Sequence, residues 1–575
     1  LHRKEQQMNR NSQAHFATTP TVGISRSKFD RSFTHKTTFN AGDLIPFYCD
    51  TTITPGDTVK MNTANVVRMM TPIAPVMDNA NLDTYFFFVP YRLIWEHWKA
   101  FMGENETAPW IQTTEYEIPQ IVAPDNGWTK GSLADYFGYP TKVGGYKASA
   151  LPFRAYALIW NEWFRDENLK NPCYIHMGDA DLNGLDIIAA TDYVTDVEKG
   201  AMPCKVAKYH DYFTACLPAA QKGPAVNVPL GKTAPIIGVE PTALPSSSYS
   251  VDSNLLDKNI ALSQNSADVI GVYNDETGSG MGRMKAIGIA ADLSNAVGAT
   301  VNQLRQAFAI QKFYERQALH GTRYIEMVKG HFQVTNPDFR MQRPEYLGGM
   351  QTPININQVV QTDATSKQLA GSYDESDNWV WEMDDLSPQG NTAAYSLTSG
   401  RNKDLFTHSF TEHGILMGLA CVRTTHTYQQ GLNAQYNMKK FYDFYFPEFA
   451  NLGNQPVLNK EIYMQSPSVV DTDGKVVNEK VFGYQEAWAH YRYFPDIVTG
   501  EMRSNYDQSL DVWHWADNYA ALPQLGDTWI DETKNNIERT LAVQNHDQFF
   551  GDFYFQAIYT RPMPMYSIPG LIDHH

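Results

Sequence analysis

The residues with the most evident chemical potential stand in His408-Ser-Phe-Thr-Glu412-His413, two imidazoles and a carboxylate within six positions. Such a set could hold zinc beside a general base. The inverted zinc motif is H-x-x-E-H, and the spacing here, H-x-x-x-E-H, is one residue too long. The segment also lies beside a strand-like run, where the three side chains would not share one helical face. A structural or interfacial role is the better reading.

Asp179, Asp181, Asn183 and Gly184 match the first half of a calcium loop, but its twelfth position, which needs a bidentate glutamate, is Ala190. A turn held by Asx hydrogen bonds is expected instead. Gly278, Gly280 and Gly282 form G-x-G-x-G in a loop context. No G-x-x-x-x-G-K-[ST] occurs anywhere, which excludes phosphate cradling by a P-loop. Ser279 follows Gly278 directly and so lacks the G-x-S-x-G elbow. Asn105-Glu-Thr107 is a glycosylation sequon that means nothing without secretion. Acidic pairs such as Asp384-Asp385 give no distance on which a glycosidase argument could rest. No grouping of nucleophile, base and orienting residue is recognisable, and neither a cofactor nor a metal is implied.

The five cysteines, Cys49, Cys173, Cys204, Cys216 and Cys421, are odd in number and contain no C-x-x-C pair. That argues against a disulfide framework and a zinc ribbon. Cys49 and Cys421 lie in apolar runs and read as small core residues. A reducing compartment is the simplest inference. The start LHRKEQQMNRNSQ has no apolar h-region, so no secretory signal is expected, and Met8 reads as a start with residues 1–7 upstream of it. The longest apolar runs, such as 414–422, are far short of a membrane span, so no membrane insertion is expected.

At 575 residues the length alone suggests about four domains, a prior that all-β proteins break by growing long loops on one core. Charged residues make up 19% of the chain, below the usual value of about 25%. Aromatics make up 13%, with 32 tyrosines. Few charges and many tyrosines suit a surface partly buried against other chains. The net charge is −17. Residues 1–40 hold seven basic residues against Glu5 and Asp30, a net +5, which leaves −22 on the rest. A basic arm on an acidic body suggests contact with a polyanion.

The elements that would position these residues are mostly strands. The run LDTYFFFVPYR at 82–92 is apolar on both faces and expects cover on both sides, with Pro90 closing it. Ile45, Phe47 and Cys49 alternate with Pro46, Tyr48 and Asp50, and Val59, Met61 and Thr63 with Lys60, Asn62 and Ala64, on either side of Thr54-Pro55-Gly56-Asp57. That pattern predicts a type II turn and an antiparallel hairpin. Residues 95–102 and 153–169 read as helices, the second with Tyr156, Ile159, Trp160, Trp163 and Phe164 on one packing stripe. A longer helix is expected over 301–319, capped by Thr300 and ended by Gly321, with Leu304, Phe308, Ile310 and Phe313 on an apolar face. Residues 354–360, 414–428, 481–494 and 549–559 read as strands. Between 231 and 298 the chain turns rich in Gly, Ser, Ala and Asn, as a surface insertion would. Strong strands at both ends, with helices confined to connections, predict a β-sandwich carrying large insertions.

SRSKFDRSFTHKTTFNAGDLIPFYCD (25–50) resembles the N-terminal signature of gokushovirus major capsid proteins, of the Microviridae, small bacteriophages with circular single-stranded DNA. TPIAPVMDNANLDTYFFFVPYRLIWEHWKAFMGE (71–104), LPFRAYALIWNEWFRDENL (151–169), LRQAFAIQKFYER (304–316) and DFYFQAIYTRPMPMYSIPGL (552–571) resemble the same family. The resemblance runs from about Met8 to the C-terminus and fades over 231–298.

The resemblance implies a mainly β protein with an eight-stranded viral jelly roll as its core, an antiparallel sandwich with long loop insertions and a few short helices. It implies a basic, partly extended arm (1–40), a first part of the jelly roll (41–230), a variable insertion projecting around the threefold axes (231–298), and the remainder of the jelly roll with its C-terminal strand and tail (299–575). The implied assembly is a T=1 icosahedral shell of identical copies, built in the bacterial cytoplasm and found in the virion. The insertion is expected to meet a host surface receptor. A small basic DNA-binding virion protein would supply positive charge that this acidic body lacks. DNA contact is expected on the inner face and the arm, through Arg10, Arg26, Lys28, Arg31 and Lys36, with bases stacking on aromatics. The competing class is a soluble β-sandwich hydrolase or glycan-binding module with tyrosines lining a saccharide groove.

Overall fold

Eight long strands carry the fold: β1 (Phe33–Phe39), β2 (Ile45–Ile53), β3 (Thr58–Met69), β4 (Ala80–Pro90), β5 (Glu345–Pro353), β6 (Thr398–Ser409), β7 (Gly414–Thr424) and β8 (Phe549–Arg561). The computed structural model describes residues 25–104, 114–224, 226, 301–321, 323–360 and 392–567, with short strand segments of backbone within 236–291 and 370–382. One antiparallel sheet has the order β1-β8-β3-β6 and the other the order β5-β4-β7-β2. The pairing is nested: β1 with β8, β2 with β7, β3 with β6, β4 with β5. That nesting is the jelly-roll arrangement, in which one long doubled ribbon wraps into two facing sheets.

The chain termini of the sandwich meet in one ladder. Phe33 pairs with Phe555 and Phe39 with Phe549. A short strand before β1, Ser27–Asp30, continues along β8 from Ser27 opposite Arg561 to Asp30 opposite Ile558. The apolar alternation of β8 buries Phe549, Phe553, Phe555, Ala557 and Tyr559 and turns the even-numbered residues outward.

Strand β4 lies between β5 and β7, where its two apolar faces are both covered. Leu82, Phe86 and Phe88 enter the core between the sheets with Phe47, Phe553 and Phe555. Phe87 and Val89 enter a second core beneath α1 (Leu151–Ile159). Phe87 packs there against Trp163 and Phe164 at ring-centroid distances of 5.4 and 5.9 Å.

Three expectations fail at this level. The segments around Pro55-Gly56 do not form a hairpin: β2 and β3 belong to opposite sheets. The turn itself is as read, with the Asp57 amide donating to the Thr54 carbonyl at 3.0 Å and Gly56 at φ +91°. Alternation reports a half-buried strand but not its partner, and in a nested ribbon a tight turn crosses from sheet to sheet. The second failure is the strand over 481–494. It stops at Gln485, Trp488 takes a left-handed φ of +64°, and a short helical turn, Ala489–Arg492, follows. The helix read over 153–169 also ends early, with Trp160–Phe164 widening into a π-type turn.

The chain divides into two units, one of residues 1–220 and 320–575 and one of 221–319. The first holds both sheets and a third core around Tyr212, Phe213, Tyr428, Ile462, Trp529 and Ile530. In the second, Ile260–Asn265, Val269–Asn274 and Gly280–Arg283 form a three-stranded antiparallel sheet, and Ile236–Gly238 pairs with Ile289–Ala291. Helix α2 (Val301–His320) ends on Gly321 at φ +85°, the left-handed stop expected of that glycine. Thr300, its expected cap, lies outside the described residues. A further helix, α3 (Tyr324–Phe332), follows.

Candidate functional site

The catalytic and metal candidates are dispersed. The His408 ring approaches Glu345 at 3.5 Å. Glu412 accepts from Arg92 Nε at 2.6 Å and Nη2 at 3.1 Å. The His413 ring packs edge-on against Trp98. Each side chain has its own partner. Asp179 accepts from Trp95 Nε1 at 2.7 Å and lies 2.9 Å from His97 Nδ1. Asp181 accepts from the Gln120 amide at 3.0 Å and Lys147 at 2.7 Å. The would-be calcium ligands thus fasten different loops, and among the described residues no His, Cys, Asp and Glu cluster could hold a metal. Gly278, Ser279, Asn105 and Asp384-Asp385 lie outside the described residues. All five cysteines are free thiols, Cys421 fully buried and Cys49 partly so.

The basic candidates near the N-terminus fall into two kinds, with Arg10 outside the described residues. Arg26 and Arg31 are held by the fold. Arg26 binds the turn after β2, through the Gly56 carbonyl and, at 3.0 Å, Thr58 Oγ1. Arg31 Nη1 lies 2.5 Å from the carboxylate of buried Asp50, with the guanidinium 4.8 Å from the Tyr559 ring centroid. Burial pushes the Asp50 carboxyl up, but the hydrogen bonds from Tyr559 and Thr52 and the charge of Arg31 hold it below the usual range. Lys28 and Lys36 instead stand on the exposed side of their strands. The Lys36 side chain is 71% exposed and 3.4 Å from Asp552.

The outward face of the β1-β8-β3-β6 sheet has a shallow depression of about 510 Å³ lined by Lys36, Thr38, Val66, Arg68, Phe550 and Asp552. Cross-strand register explains the grouping: Lys36 sits opposite Asp552, and Phe550 opposite both Thr38 and Arg68. Phe550 and, further along β8, Tyr554 are exposed. Cations flanking an exposed ring are the combination that holds an unpaired base by stacking and its phosphate by charge. Arg68, Phe550 and Tyr554 were not legible as site residues. Their signal is the even-numbered face of two strands that neighbour each other only through the closure of the sandwich.

The chain matches the family described as "Capsid protein (F protein)" over residues 17–571. It belongs to that capsid-protein family. Its relatives include capsid protein VP1 of Bdellovibrio phage phiMH2K, 41% identical over 98% of both chains. Capsid protein VP1 of Chlamydia phage 1 is 39% identical over 97% of both, and that of Spiroplasma virus 4 is 39% identical over 95% of this chain and 96% of the relative. The resemblance to Microviridae capsid proteins read from the five segments therefore holds along the whole chain. The protein is a structural component of a virion, and membership of this family carries self-assembly into a capsid with it. No helix among the described residues is long and apolar enough to cross a membrane.

Proposed function

We propose that copies of this chain close into a single-layered T=1 icosahedral shell around a circular single-stranded DNA genome, acting as a structural protein without catalysis. The observation that carries the DNA part of this reading is the charge placement. An acidic chain presents Lys28, Lys36 and Arg68 on the outward side of one sheet, where exposed Phe550 lies beside Lys36 and Arg68. That face and the basic arm are assigned to the lumen. Arg10, Arg26, Lys28, Arg31 and Lys36 supply the positive charge of the arm, with Arg31 also matching Asp50. A small basic virion protein neutralises the remaining phosphate. Residues 231–298 are assigned to the outside, where they meet the host receptor.

The test is nuclease protection. Shells purified after expression with a circular single-stranded template should hold DNA that resists nuclease until the shell is opened and is then cut by a single-strand-specific enzyme. Empty shells, or shells holding only duplex DNA, would overturn the DNA assignment and leave the capsid role standing.

A further inference from the structure

An aromatic platform on the sandwich unit has no cover among the described residues. Its core is KKFYDFYFPEF at 439–449, with six aromatics in eleven residues. Tyr436, Phe441, Tyr442, Tyr445, Tyr491 and Phe494 are 44–70% exposed. Contacts tie Phe441, Tyr442, Tyr445 and Tyr491 together, and Tyr436 and Phe494 flank them in sequence. Phe441 meets Phe446 at 4.7 Å and Tyr442 meets Phe449 at 6.2 Å between ring centroids. Tyr445 meets Trp488 at 5.6 Å and Tyr491 at 6.1 Å.

The platform is built rather than frayed. The Asp443 carboxylate accepts from the amides of Lys439 and Lys440 at 2.8 and 2.7 Å and closes one turn. The indole of buried Trp488 donates to the Phe449 carbonyl at 2.9 Å and ties the two segments together. A depression of about 240 Å³ opens beside it, bounded in part by Tyr442, Asp443, Glu486 and Trp488. That volume receives one inserted side chain, as an interface anchor requires.

Size and charge choose the occupant. At ~150–250 Å² per ring, six rings exposed to this degree present roughly 700 Å². Soluble monomers rarely leave more than a few hundred Å² of apolar surface uncovered, and about 800 Å² per partner makes a standard interface. The segments 434–452 and 486–510 carry Lys439, Lys440, Arg492 and Arg503 against six acidic residues, a net −2. A nucleic acid would be repelled, whereas aromatics with a mixed polar rim suit a protein partner.

We infer that this platform is a contact between copies of the chain in the shell. The inference rests on the capsid role and adds the surface through which it works. A closed shell buries the same patches on every subunit.

The test is tyrosine-selective chemical labelling of intact shells against dissociated subunits, read peptide by peptide. Tyr436, Tyr442 and Tyr491 are expected to lose most of their reactivity on assembly and regain it on dissociation. Equal reactivity in shells of this chain alone would overturn the inference and leave the capsid role intact. So would protection that appears only when another virion protein is added. A wild-type chain that never assembles would remove both. As a second arm, a Phe441→Asp, Tyr442→Asp variant should keep the wild-type circular dichroism spectrum and sediment as subunits, with shells lost. Shells at wild-type yield would count against the inference.

Discussion

The hydroxyl oxygens of Tyr48 and Tyr559 meet 2.7 Å apart inside the sandwich, one carried by β2 and the other by β8 of the opposite sheet. Tyr559 passes its own hydrogen to Asp50 at 2.6 Å, and Asp50 takes a further hydrogen bond from Arg31 at 2.5 Å. A residue just before the first strand is thereby locked to the last strand through a carboxylate on the second. Sheet-to-sheet closure here is polar and directional, in a core that is otherwise aromatic and aliphatic.

That relay makes Tyr559→Phe a stability variant. The ring stays, and buried Asp50 loses a donor. An unsatisfied buried polar group costs about 1–3 kcal/mol. Urea denaturation of dissociated subunits should show the midpoint falling with an unchanged slope. Tyr554→Phe, on the exposed face of the same strand, should leave the midpoint where it is.

A second buried cluster sets a pH window. The two ring nitrogens of His426 lie 3.1 Å from Asp517 and 3.1 Å from Glu532, with Lys208 3.6 Å from Asp517 and Asp78 close by. Burial alone would lower the imidazole. The two carboxylates outweigh it and push His426 up to about 10. For Asp517, burial acts upward, but the charges of His426 and Lys208 hold it well below the usual range. A raised histidine contributes fully below its unfolded value near 6.5 and loses that contribution as pH rises toward 10. A depressed carboxylate contributes above its unfolded value, about 4, and loses that contribution as pH falls further. Thermal melts should show both contributions intact between about pH 4 and 6.5. His426→Gln should lower the melting temperature at about pH 6 and flatten the decline between about pH 7 and 10.

Why some of this was legible and some not follows from range. Strands β4 and β8 announce themselves because their burial pattern is local: two covered faces read as a continuous apolar run, one covered face as alternation. The Pro55-Gly56 turn was equally legible, since its backbone geometry depends on four residues. Its flanking strands were mispaired because their partners lie far along the chain: β2 pairs with β7, and β3 with β6 and β8. The residues gathered around Phe550, and the clamp of His426 by Asp517 and Glu532, join positions far apart in the chain and leave no spacing to read. The aromatic platform was missed for another reason. Tyr436, Phe441, Tyr442 and Phe449 sit on short 3-10 turns, Tyr491 on a single helical turn, and Tyr445 and Phe494 in irregular segments, none long enough to show the period of a helix or a strand.

The basic face can be separated from the basic clamp. Charge reversal at Lys28 and Lys36 removes exposed cations and should leave subunit stability nearly unchanged. The measurement is the salt dependence of single-stranded DNA binding by subunits. For each phosphate that the variant no longer neutralises, the slope of log K against log salt should become shallower by about 0.7, so the double variant should give up roughly one unit or more. Arg31→Ala should instead destabilise the subunit through Asp50. If the two variants changed DNA binding alike and left stability alike, the division between them would be wrong.

The last prediction concerns 231–298, which lies wholly within the unit formed by residues 221–319. The ladders that close the two sheets use residues before 91 and after 344, so none of their backbone hydrogen bonds crosses into it. Loop-closure entropy grows only with the logarithm of loop length, so exchanging a long connection for a shorter flexible one changes the cost of closing the sandwich by about 1 kcal/mol or less. A chain with 231–298 replaced by a short Gly-Ser linker should therefore give soluble subunits with the wild-type far-ultraviolet spectrum and a melting temperature within a few degrees. If it also forms shells, those shells should fail to adsorb to host cells that wild-type particles bind. Insoluble or unfolded protein would show that the segment is part of the fold, and wild-type adsorption would place host recognition elsewhere on the surface.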